Sequence, residues 1–585
     1  MIAVTNRWGK GRKLLPSKLL KPETPIFVVG VGVSVLIVGL ISIIIWATLL
    51  TDMPGVETQF TLNNYFEVFR GDVTRRAGLN TLVIGIGTVL VNLFFAIPIV
   101  WLIHRTNVPY KKFFVTLMFL HLLIPHFLKV MGWILLLSPK IGMINQLLRT
   151  FIPVDTGPLD IYNVPSMAFL QGLGLTPVMF FLLSGAFLAI DPVFEEAAEV
   201  AGTSRFRTIR RITFPLVKPA VVSAVVYNFM TAVALYETAA LLGGPKQISV
   251  LSTLLFDSVY SEIGVPRYGV AGVYGMLLMV PALIALYYYQ RMLRVSHRYA
   301  TVTGKGYRPK LMDLGWMKWA GTAFIGFFFL LDIFLPFLTL IWVSLLPYMQ
   351  LPSMEALSRV SADGYRSAFY LLLKGGVLAN TVKLVLSVGI LTTLVSLFIS
   401  WIVLRTHLPF RYAMDSIAML PHAVPRIAFS FAVLIVGLLL ARLIPLYASL
   451  SAIVLAHTIA FISFGTRAIN GALIQIHQDL DDAVQTCGCS RIVAIRRVII
   501  PLLGPTLFYV LIWTMLHSYR EVTMALFLQS PKNLVVSVAI WARWENIETT
   551  TAAALGVIMV VCAGAFITAI LRIFPKLVER GGMGA

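Results

Sequence analysis

Several ionisable side chains stand inside stretches that are otherwise apolar. His121, His126 and Lys129 surround Pro125, and His422 and Arg426 surround Pro421 and Pro425 in a second stretch. Glu237 and Glu521 stand in ALYETAALL and SYREVTMALFL. A charge or imidazole in such a setting is costly and as a rule faces a cavity. His126 and Arg426 occupy equivalent places after their prolines, so two basic groups near a common axis would suit an anion or an anionic metal chelate. A second reading stays open, in which these groups cap kinks at the prolines by bonding freed carbonyls. Lys129 also has the alternative of snorkelling towards an interface. Glu237 and Glu521 form another related pair, either lining a cavity or salt-bridged, with Arg520 beside Glu521 as a partner. The pathway candidates are therefore His126, Lys129, Glu237, His422, Arg426 and Glu521.

Catalysis finds no such footing. No nucleophile–base–orienter set or paired carboxylates stand out, so no catalytic residue is expected and the chain reads as a non-enzyme. Cys487-x-Cys489 has only His477 nearby, short of the four ligands a metal centre wants, and reads as small turn residues. No GxxxxGK[ST] phosphate loop occurs, and TGKGYRPK lacks its spacing. The chain is expected to bind no nucleotide or metal cofactor itself.

The elements that must position these residues are spanning helices. Of 585 residues, 58% are hydrophobic and only 12% are charged, too few to cover a water-facing surface. The net charge of +21 comes in short clusters between apolar runs, as membrane topology requires, and not as a nucleic-acid site. A spanning helix needs about 20 mostly apolar residues. Runs of that kind lie near 26–50, 79–103, 113–138, 165–190, 216–243 and 269–293, then near 320–346, 378–404, 413–440, 448–474, 502–528 and 550–575. The first is too long for the core of a cleavable signal. The predicted fold is an all-α integral membrane protein of about twelve transmembrane helices. With both termini cytoplasmic, the inside segments hold more than twice as many Lys and Arg as the outside ones, the expected bias.

The sequence also repeats itself. Asn80-Thr81 recurs as Asn380-Thr381, and WLIHRTNVPYKKF as WIVLRTHLPFRYA, matching Arg105 with Arg405 and Thr106 with Thr406. EEAAEVAGTSRFRTIRRITFPLVKP recurs as DDAVQTCGCSRIVAIRRVIIPLLGP. Matching loops on one side of the membrane make the two six-helix repeats parallel. Residues 1–310 form one and 311–585 the other, joined by the basic stretch around TGKGYRPK. Within the repeated loop, acidic residues after Asp191-Pro192 start a helix and Gly202 breaks it. A basic second helix, Arg205–Arg211, is expected to stop before Pro215. An amphipathic segment held by anionic lipid would need no such register twice, so a protein partner is the better reading.

These residues resemble the EAA loop of binding-protein-dependent ABC importer permeases. The pattern stands here as Glu196-Ala197-Ala198, Gly202, Ile212 and Phe214-Pro215, then as Asp482-Ala483-Val484, Gly488, Val498 and Ile500-Pro501. The resemblance implies that loops 191–215 and 478–501 dock two ABC ATPase subunits on the cytoplasmic side of a bacterial inner membrane. The docking residues implied are Glu196, Ala197, Ala198, Gly202, Arg205 and Pro215, with Asp482, Ala483, Gly488, Arg491 and Pro501. It also implies a substrate-binding protein on the outer side, with ATP hydrolysed by the partners. Fused permeases of this size are most similar to ferric iron importers, and the Y-E-T and R-E-V strings resemble those permeases' R-E-L segment. Iron or an anionic iron chelate is therefore the expected cargo, with phosphonate, sulfate, thiamine or polyamine as alternatives. A secondary transporter driven by an ion gradient is the rival of another class.

Overall fold

The computed structural model describes residues 24–51, 59–151, 157–189, 197–198, 200–260, 265–296, 311–406, 408, 410–477, 480 and 495–574. Among them the regular elements are helices. The first half contains α1 (Thr24–Ala47), α2 (Asp72–Arg105), α3 (Lys111–His121), α4 (His126–Leu137), α5 (Val164–Ala189), α6 (Phe214–Ala234), α7 (Glu237–Gly243), α8 (Leu251–Val259) and α9 (Tyr268–Ser296). The second contains α10 (Met317–Phe329), α11 (Leu335–Ser344), α12 (Val377–Arg405), α13 (Arg411–Ala423), α14 (Arg426–Leu439), α15 (Leu450–Gln475), α16 (Ile500–Arg520), α17 (Thr523–Phe527), α18 (Val536–Glu545) and α19 (Thr549–Ile573). A π-helical turn, Leu330–Phe334, joins α10 to α11.

Ten helices, the α10–α11 stretch counted as one, are long and apolar enough to cross a membrane. Three pairs of shorter helices pass the same test together but are bent, α3–α4 by 96° and α13–α14 by 108° among them, so the described residues hold ten to thirteen candidate spans, a range that includes the twelve expected. Those two bends have one cause. A proline in extended conformation (Pro125 at φ −56, ψ 135; Pro425 at φ −54, ψ 136) stands as N-cap of the second helix, where its missing N–H costs nothing.

Two expected spans are corrected. Their bounds shift rather than their existence: the crossing helices run Arg210–Ala234 and Arg496–Arg520, so the runs 216–243 and 502–528 do not continue as one helix to their expected ends. Leu235 and Glu521 turn extended, at ψ 132 and 125, and short helices follow. The first half continues as a pair bent by 79°, Glu237–Lys246 with Leu251–Val259. The polar strings Tyr236-Glu237 and His517-Ser518-Tyr519-Arg520-Glu521 stand at the two breaks, but a count of apolar residues over the whole run does not register them.

The first helix of each half crosses over. α1 packs against α12, α13 and α14 of the second half, while α11 packs against α4 of the first. Gly30 of α1 lies against Ile402 and Met414, and Gly132 of α4 against the backbone of Pro336. The indole of Trp133 donates to the Leu331 carbonyl at 3.1 Å. One continuous apolar core results, drawn from both halves. On the outside, Leu79, Leu82, Val83, Ile86 and Leu90 of α2 remain exposed, a lipid-facing stripe. Inside each half the closest neighbours are α2 with α5 and α12 with α15. Small residues allow that approach, Gly87 against Ala168 and Gly172 against Val91.

Candidate functional site

The helix breaks bring the two halves together at one place. Both α6 and α16 have 21 residues, and the short helices after them begin at Glu237 and Thr523. The backbone register therefore pairs Glu237 with Thr523 and Leu235 with Glu521, two residues away from the Glu237–Glu521 relation expected from the strings. The matched pair meets across the interface, where the buried Thr523 hydroxyl donates to Glu237 Oε1 at 3.3 Å.

Glu521 is fully buried and held from several directions. The Met524 backbone N–H donates to its Oε2 at 2.9 Å, His457 Nε2 lies 3.2 Å from the same oxygen, and Arg426 Nη1 is 3.9 Å from Oε1. These partners stand where pairing with the adjacent Arg520 is expected from the sequence, while Arg520 makes its hydrogen bond elsewhere. Its guanidinium donates across the interface to the carbonyl of Leu122, freed where α3 ends before Pro125. The carbonyl capping expected of the histidines is thus supplied at this bend by an arginine of the other half.

His126 and Arg426 are each the first residue of a helix after a bend, as their equivalence requires. His126 is turned inward, with Nε2 3.0 Å from the Thr238 hydroxyl. Arg426 keeps 47% of its side chain exposed. His422 stacks on Tyr227 of the other half, ring centroids 5.3 Å apart. Beyond it Phe464, Trp513 and His517 form a continuous stack at 3.5 and 3.6 Å, a feature that no charge or motif announces in the sequence.

Lys129 is neither on this surface nor snorkelling. It is 4% exposed and donates to Asp332 Oδ1 at 2.9 Å. Asp332 also pairs with His121 Nδ1, while His121 Nε2 meets the Gly174 carbonyl at 2.9 Å. Asp332 sits in the π-helical turn of the crossing helix, so the triad fastens that helix to the broken span of the first half. Sequence reasoning missed Asp332, although a lone acid in FFFLLDIFLPF is a signal that a buried cation lies nearby.

The repeated loop is described in part. Ala197 and Ala198 are present, Ala198 buried. Gly202 has φ +73, and the Thr203 N–H reaches back to the Ala198 carbonyl at 2.9 Å, the closure of a Schellman turn. Glu196, Asp482, Ala483, Gly488, Arg491 and Cys487-x-Cys489 lie outside the described residues, as does the side chain of Arg205. The second helix does not stop before Pro215. Arg205–Thr208 runs through a π-helical stretch, Ile209–Thr213, directly into α6. Ile495–Ile499 repeats that stretch ahead of α16. Pro215 and Pro501 take the second position of the helices that follow, and the widened turn makes room for their rings.

With this geometry in hand, the chain can be set beside known proteins. The family described as "Binding-protein-dependent transport system inner membrane component" matches residues 77–295 and again 393–581. The ferric transport system permease protein FbpB of Actinobacillus pleuropneumoniae is 26% identical over 83% of this chain and 68% of its own length. A putative ferric transport system permease protein, FbpB 1 of Haemophilus influenzae, is 24% identical over 76% and 68%. The spermidine/putrescine transport system permease protein PotB of Escherichia coli is 30% identical over 34% of this chain and 72% of its own. Twin domains, ten to thirteen candidate spans among the described residues and a loop repeated in both halves agree with one another: the chain belongs to the binding-protein-dependent transport system inner membrane component family, as an ABC importer permease carrying that domain twice.

Proposed function

We propose that this chain forms the membrane pathway of an ATP-driven importer for ferric iron or an anionic iron chelate. The support that carries the cargo is the likeness to two ferric transport permeases along three quarters or more of the chain. In this reading residues 1–310 and 311–585 are the two permease domains, both termini are cytoplasmic, and the membrane is a bacterial inner membrane. Two separate ATPase subunits dock at 191–215 and 478–501 and hydrolyse the ATP, while a substrate-binding protein docks on the opposite face. Closure of the ATPase pair draws the two loops together, and the pathway between the halves turns outward to receive cargo.

A polyamine is the second reading. It is favoured by the likeness of one half to a spermidine/putrescine permease and by the carboxylates of Glu237 and Glu521 at the interface. Reconstitution of the chain with its ATPase and binding protein separates the two. ATP-dependent accumulation of radioactive iron, undiminished by excess spermidine, is expected. Accumulation of labelled spermidine with no iron uptake overturns the iron assignment.

A further inference from the structure

The recurring pairs Asn80-Thr81 and Asn380-Thr381, and the recurring arginines Arg105 and Arg405, stand at opposite ends of α2 and α12. At one end the guanidinium of Arg105 donates to the Phe187 carbonyl at 2.7 Å. Arg405 donates to Leu473 and Ile476 at 3.1 and 2.6 Å. These carbonyls close α5 and α15, the helices that lead into the repeated loops. A helix C-terminus offers unpaired carbonyls and a partial negative charge, both suited to arginine.

At the other end the same helices hold the segments that follow the breaks. The Leu251 N–H donates to the Thr81 hydroxyl at 3.0 Å and the Val536 N–H to the Thr381 hydroxyl at 3.0 Å. Each hydroxyl in turn donates to the carbonyl four residues back, at 2.7 Å. Asn80 Nδ2 donates to the Ser249 carbonyl at 3.0 Å and Asn380 Nδ2 to that of Leu534 at 3.1 Å. Leu251 and Val536 are the first residues of α8 and α18, whose N–H groups lack partners within the helix. At the interface α8 meets the short helix α17 of the other half, and α18 meets the first half through Trp541 against Tyr236, ring centroids 6.1 Å apart. Phe256 packs edge-on against Phe527 with ring centroids 5.7 Å apart, the Tyr260 hydroxyl donates to the Phe527 carbonyl, and Glu237 meets Thr523.

From this we infer that α2 and α12 are struts that carry displacement of the coupling loops to the interface segments sealing the pathway, with Arg105/Arg405 and Thr81/Thr381 as the joints. Threonine and arginine stand 24 residues apart in both halves, about 36 Å of helix, which exceeds the apolar thickness of a bilayer. α2 packs along α5 and α12 along α15, which supports each strut over its length, including α2 where Pro98 stands inside the helix. Motion at the loop therefore reaches the seal without passing through the broken spans. The inference rests on the ATPase-coupled reading above and adds the joints through which coupling runs.

The test uses the whole importer in proteoliposomes, with ATP hydrolysis and cargo uptake measured in the same vesicles. Thr81→Val with Thr381→Val removes both joints at the seal and preserves side-chain shape. The expected result is hydrolysis within about twofold of the parent and uptake lower by about tenfold or more, a fall in cargo moved per ATP. Thr→Ser at both positions keeps the hydroxyls and restores the ratio. Arg105→Gln, at the far end of the α2 strut, gives the same uncoupling as Thr81→Val alone. Combined with Thr81→Val it adds nothing further, although sites this far apart ordinarily act independently. Hydrolysis and uptake falling in parallel, unchanged uptake, or additive losses would each overturn the strut while the parent importer still couples. A parent that moves cargo without ATP refutes the coupled reading itself, and the strut with it.

Discussion

Lys129 and Asp332 are both buried, so removing Asp332 leaves Lys129 as a bare charge in apolar surroundings, whereas removing Lys129 leaves Asp332 with His121 as its partner. Asp332→Leu alone is expected to cost about 3–5 kcal/mol and to lower the yield of folded protein, and Lys129→Met alone to cost less. The double replacement recovers most of that loss because no unpaired charge remains; size-exclusion profiles and thermal unfolding in detergent check it. Gly202 makes a different demand, since its left-handed backbone leaves open space where a Cβ would go and the penalty is conformational. Gly202→Val should strain the turn by about 1–2 kcal/mol and uncouple hydrolysis from uptake. Gly202→Asn, of a residue type that tolerates this conformation, should stay closer to the parent when both rates are measured. Gly202 was readable because its whole pattern recurs in Gly488. Lys129 was readable as an anomaly but not as half of a pair, since its partner lies 203 positions away and no second copy of the pair repeats it.

Among the elements, the broken spans were half legible. Pro125 and Pro425 announce a kink, but not that it exceeds 90° or that the carbonyl freed at Leu122 is served by Arg520 from the other half. The breaks after α6 and α16 were not legible, because Tyr236-Glu237 and the HSYRE string read equally well as polar residues inside a continuing span. Arg520→Met leaves the Leu122 carbonyl without that donor, and a buried carbonyl so deprived costs about 1–3 kcal/mol. A lower unfolding temperature with an unaltered oligomeric state is the expected outcome. An unchanged unfolding temperature would mean that the carbonyl finds another donor.

For the whole molecule, the duplicated strings gave away two parallel halves but not their interlocking, since a crossing helix and one that stays home have the same composition. α1 packs on α12, α13 and α14 of the second half as well as on α9 of its own, and α11 on α4 of the first as well as on α19 of its own, so each half alone lacks part of its packing. Co-expressed as separate chains split at the 310–311 junction, the halves should co-purify as a one-to-one complex, whereas either half alone should aggregate. Recovery of each as an independent soluble unit in detergent would count against the crossover. The account as a whole stands on a motor outside this chain. Its most direct test is cargo uptake by vesicles holding the chain, with or without its ATPase, energised in turn by ATP and by an imposed proton or sodium gradient. Uptake only when ATPase and ATP are both present is the result predicted. Uptake driven by the gradient in vesicles without the ATPase would contradict it.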